Sequence, residues 1–103
     1  MMSKTFDFLL KVYYFEGVIW GVDKRIGVVG VVVEDLESAS QVNAILHDYS
    51  HIIVGRMGIP YRERGISVIS LIVDGTTDEI SAMTGKLGKV KAVSVKSAMT
   101  KKN

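Results

Sequence analysis

KRIGVVGVVVED, residues Lys24 to Asp35, decides how the rest of the chain is read. A nearly continuous run of Val and Ile lies between charged ends, and its length and β-branching predict a strand rather than a helix. From Leu36 the spacing changes. Leu36, Ala39, Val42, Ile45, Leu46 and Tyr49 recur at steps of three and four, the period of an amphipathic helix, with Asp35 placed to cap it and an end expected near Tyr49 or Ser50. HIIVGR, from His51, then predicts a short strand, and GIPYRERG, from Gly58, predicts the loop after it.

The second half repeats the order. ISVISLIVDG, from Ile66, predicts a strand. In TTDEISAMTGKLG, Thr76 and Glu79 stand at the capping-box offset, Ile80, Met83 and Leu87 share a face, and Gly88 is a natural stop. Gly85 within that helix costs about 1 kcal/mol relative to Ala unless close packing needs it. VKAVSVKS, from Val90, alternates as a final strand.

Strand, helix, strand, strand, helix, strand is the βαββαβ pattern of an α+β ferredoxin-like sandwich. Its four-stranded antiparallel sheet has the first and third strands at the centre and both helices on one face. Side chains alternate along a strand, so Val28 and Val32 oppose Val29, Val31 and Val33, and Ile66, Val68 and Ile72 oppose Ile69, Leu71 and Val73. Both central strands are therefore apolar on both faces. A monomer would leave one apolar face in water, and a second copy of the chain is the expected cover. The competing expectation is that residues 1–23 fold back over it.

Composition limits the functional classes. With 103 residues the chain holds one domain, whose core supplies only a few kcal/mol of net stability. There is no Cys, so neither a disulfide framework nor a thiolate metal site is available. The net charge of +2 comes from 13 basic and 11 acidic residues, which implies no basic groove for nucleic acid. In residues 1–22 Asp7, Lys11 and Glu16 interrupt the apolar stretch before a membrane span of about 20 residues is reached, and no small-residue cleavage site follows. A cytoplasmic protein without a membrane segment is expected.

Three divisions are expected: an N-terminal extension over 1–23, a domain over 24–98 and a basic tail over 99–103. The extension is read as poorly anchored or as a mis-assigned start, because Glu16-Gly17-Val18 can be encoded by a ribosome-binding sequence ahead of Val22, a possible GUG start.

Candidate sites compete with plainer readings. His47 and His51 have the HxxxH spacing of a zinc or nickel pair. However, the helix is expected to end between them, and a third ligand would have to come from Asp48, Glu63 or another subunit. Solvated surface histidines are the simpler account, and no metal or other cofactor is expected. Arg56, Gly58, Tyr61 and Arg62 surround the only Pro and form a candidate ligand site for an anion or carboxylate, since Arg offers a bidentate fork and Gly admits close backbone approach. An ordinary charged loop explains them slightly better.

TGKLG, from Thr84, lacks the order of a phosphate-binding loop and falls late in a helix, and Gly27 and Gly30 do not form a dinucleotide fingerprint. No catalytic constellation is evident. Central strands built of Val and Ile also lack the aromatic platform of RNA-binding relatives of this fold.

QVNAILHDYS, then GRMGIPYRE, then SAMTGKLGKVKAVSVKS resemble the small family of iron-only hydrogenase system regulators over about Lys24 to Ala98. RMGIP and TGKLG are the most specific pieces. The resemblance implies an ACT-like domain, related in fold to the C-terminal domain of nickel-responsive repressors, working as a homodimer or homotetramer. It further implies a non-enzymatic regulatory or small-molecule-binding module whose ligand is unknown. The alternative is a metal-responsive transcriptional regulator using His47 and His51. Two departures weigh against that alternative: 23 residues are too few for a ribbon-helix-helix unit, so no autonomous DNA binding is expected, and no Cys completes the repressors' nickel site.

Overall fold

The computed structural model describes residues 24–100, so the expected N-terminal extension and the last three residues of the tail lie outside the described residues. Strand β1 (Lys24–Val33) leads into a short 3-10 turn (Leu36–Ser38) and helix α1 (Ala39–Asp48). A second 3-10 turn (Ser50–Ile52) precedes β2 (Ile53–Tyr61). After a third (Arg62–Arg64) come β3 (Ile66–Thr76), helix α2 (Thr77–Gly88) and β4 (Val93–Met99). The sheet order is β2-β3-β1-β4 and every pairing is antiparallel. This is the ferredoxin-like arrangement expected, with β1 and β3 at the centre.

Alternation in the central strands sorts their side chains. Val29, Val31 and Val33 of β1 and Ile69, Leu71 and Val73 of β3 are buried beneath the helices, against Val42 and Leu46 of α1 and Ile80, Met83 and Leu87 of α2. Burial of these faces, at about 1.5–3 kcal/mol per large side chain, holds the two layers together.

Local chemistry fixes the helix starts. At α2 the Thr76 hydroxyl accepts from the Glu79 amide at 3.0 Å, while Glu79 Oε1 accepts from the Thr76 amide at 2.9 Å, completing the expected capping box. Asp35 caps differently from expectation. Its carboxylate accepts from the Glu37 amide at 3.0 Å and so caps the 3-10 turn, after which α1 starts at Ala39 and leaves Leu36 exposed. Ser38, buried, donates to the Lys91 carbonyl at 2.8 Å and ties the entry of α1 to the turn before β4.

Three boundaries move. The stretch expected as a loop from Gly58 is strand as far as Tyr61, and only Arg62 to Gly65 turn, with Gly65 at a left-handed φ of 68°. Pro60 fits because β2 is an edge strand, where a missing amide donor is tolerated. Gly88 ends α2, but the cap residue Lys89 is right-handed, so Gly88 supplies no left-handed turn. The final strand starts at Val93 instead of Val90, since Val90 is buried in the core and Ala92 turns the chain at a φ of 59°.

Candidate functional site

The sheet face turned away from the helices carries the most distinctive surface among the described residues. Cross-strand partners share a face, so the register builds this surface in rows. Ile59, Val68, Val32 and Ser94 form one row across β2, β3, β1 and β4; Met57, Ser70, Gly30 and Lys96 form the next; Gly55, Ile72, Val28 and Ala98 the third. Ile26 and Tyr61 extend the surface at opposite ends. Ile26, Val28, Met57, Ile59, Tyr61, Val68 and Ile72 are each 38% to 62% exposed. The apolar area covers β2, β3 and β1, and Ser94 and Lys96 of β4 form its polar margin.

Met57, Ile59 and Tyr61 were missed as part of this face because the GIP sequence reads as a loop. Their alternation at steps of two was the available signal.

Strand geometry separates the four residues of the candidate anion site. Arg56 and Gly58 pair with Leu71 and Ile69, whose side chains point to the helices, whereas Tyr61 pairs with Ile66 on the open face and Arg62 lies in the following turn. Arg56 instead reaches α1, where its Nη2 donates to Asn43 Oδ1 at 3.1 Å. Asn43 was not singled out from sequence, because nothing local connects it with a strand thirteen residues on.

The two histidines also part. His47 is in the last turn of α1, and His51 lies in the 3-10 turn rather than in the strand expected to begin there. His51 Nε2 is 3.3 Å from Glu79 Oε2, and its ring stacks on Tyr49 with centroids 6.3 Å apart. Lys86 of α2 sits 5.1 Å above the Tyr49 ring, so this cluster joins the end of α1 to both ends of α2. The hydrogen bond from the Thr76 amide, helped by the Thr76 hydroxyl and by His51, holds the Glu79 carboxyl below its ordinary pKa against a smaller opposing effect of burial. Among the described residues no group of three or more His, Cys, Asp or Glu is placed to hold a metal ion. No helix among them is long and apolar enough to cross a membrane.

Comparison with known proteins supplies what the geometry alone does not. The model of the family described as "TM1266-like: Iron-only hydrogenase system regulator, putative" matches residues 25–97. The structure of the uncharacterized protein TM1266 from Thermotoga maritima is 39% identical, with a TM-score of 0.73, covering 76% of this chain and 99% of that one. The C-terminal domain of the MgtC protein from Mycobacterium tuberculosis shares the fold at 12% identity, with a TM-score of 0.58, over 80% of this chain and 94% of that domain. No curated protein matches in sequence.

Proposed function

The chain belongs to the TM1266-like family of iron-only hydrogenase system regulators, and on that premise we propose that it is a non-enzymatic regulatory module working as a homo-oligomer. Two subunits bury their open sheet faces against each other. The observation that carries this reading is the patch of seven large apolar side chains on β1, β2 and β3, all substantially exposed in the single chain. Burying the exposed half or so of each is worth about 0.7–1.5 kcal/mol, and one self-complementary patch suffices for a two-fold pair. Its polar margin on β4 limits the contact to the apolar part of the sheet.

Regulation follows from the same arrangement. A small ligand that binds one arrangement of subunits better than another shifts the population by its differential affinity. The module is expected to work in the cytoplasm. Size exclusion coupled to light scattering tests the proposal: the full chain is expected to elute at the mass of a dimer or tetramer, and a monomer at all concentrations would refute the reading. Thermal-shift screening with amino acids, nucleotides and divalent metals is then expected to find a stabiliser.

A further inference from the structure

A groove of about 460 Å³ between α1 and β2 is lined by Asn43, Leu46 and His47 of α1, by Ser50, and by residues 53–56 of β2. It opens at the edge strand, and Arg56 enters it from the helix side of the sheet. A local irregularity creates it. In a regular strand Ile53, Gly55 and Met57 would share a side. The register shift between Ile53 and Gly55 inserts Val54 as an extra residue, so Ile53 and Arg56 both point toward the helices. The regular register from Gly55 onward turns Arg56, the only long cationic side chain of β2, toward the helices, and the bulge brings Ile53 to the same side.

That side chain is held but not neutralised. Among the described residues its one partner is the Asn43 carbonyl oxygen at 3.1 Å, a neutral acceptor that occupies Nη2 and fixes the direction of the guanidinium. Its remaining N–H donors are left for a ligand. His47, one helical turn beyond Asn43, and Ser50 place further polar groups at the rim, while Ile53 and Val54 supply the accessible apolar surface.

We propose that this groove binds a small organic carboxylate, its two oxygens on the Arg56 guanidinium and its apolar part against Ile53 and Val54. A planar fork matches a carboxylate in two parallel hydrogen bonds. The last turn of α1 turns carbonyl oxygens toward the same region, which opposes any anion and more strongly one of greater charge. A singly charged carboxylate that also gains apolar contact is therefore preferred over phosphate. The site deepens the proposed regulatory reading by naming the chemistry of its ligand, and its Arg56 points to the opposite side of the sheet from the apolar rows.

Amide chemical-shift titration of the full chain with acetate, isovalerate and inorganic phosphate tests it. Isovalerate is expected to give saturable shifts centred on residues 43–56, with acetate weaker and phosphate weakest. Arg56→Gln should weaken isovalerate binding roughly tenfold or more, since a charge-assisted pair is lost. Arg62→Gln, in the turn after β2, should leave binding unchanged. Absence of saturable shifts with isovalerate, tighter binding of phosphate, or isovalerate binding unaltered by Arg56→Gln would each overturn the proposal. The mass of Arg56→Gln by light scattering should equal that of the parent chain, which keeps this test independent of the subunit interface.

Discussion

At Gly75 a β-carbon would lie 2.9 Å from Ile52 Cγ2 and 3.1 Å from Glu79 Oε1. Ile52 is buried and Glu79 is committed to the capping box, so neither neighbour yields easily. Gly75→Ala is expected to cost about 1–3 kcal/mol in urea denaturation, as overpacking does; an unchanged midpoint would show that Ile52 can repack. Glu79 itself carries a pH signature. Its folded pKa is depressed, so its contribution is complete above the ordinary carboxylate value and disappears as pH falls through the lower, folded one. The carboxyl is partly exposed, which limits the effect to about 1 kcal/mol or less. The stability difference between parent and Glu79→Gln should therefore be present at neutral pH and shrink below about pH 4.5; a difference that grows on acidification would contradict the assignment.

Elements differ in how openly the sequence declares them. β1, β3 and the capping box of α2 were legible because their signals are local: β-branched runs with a period of two, and Thr76 and Glu79 three apart. The second half of β2 was not. Gly58 and Pro60 carry loop propensity, and only the edge position in the sheet makes Pro60 acceptable. The groove on α1 was equally hidden, since the bulge at Val54 and the pairing of Arg56 with Asn43 are tertiary events. Helix α2 provides the test at this scale. Gly85 is interior to the helix, yet among the described residues nothing beyond the helix's own neighbouring backbone lies within 4 Å of where its β-carbon would stand, so close packing does not account for it. Gly85→Ala should raise stability by about 1 kcal/mol, read from the denaturation midpoint. A loss of stability instead would reveal a contact on that helix face that a single chain does not contain.

For the whole molecule the decisive quantity is what happens when the open face becomes charged. Ile72 lies at the centre of its apolar rows, opposite Val28 on one side and Gly55 on the other, and it is already 42% exposed. Ile72→Asp therefore leaves the core beneath the helices intact, and circular dichroism should be unchanged. In a two-fold contact the substitution acts twice. Losing about 1 kcal/mol of burial on each subunit raises the dissociation constant roughly thirtyfold before the cost of desolvating two carboxylates is counted. Light scattering should accordingly show Ile72→Asp as a monomer where the parent chain is an oligomer. Leu36→Asp supplies the comparison: Leu36 is 54% exposed but sits in the 3-10 turn before α1, outside the open face, so its charge should leave the mass unaltered. If both substitutions dissociate the protein, general loss of surface apolarity is responsible. Should neither do so, the subunits meet elsewhere and the apolar rows of β1, β2 and β3 are covered by something other than a second copy.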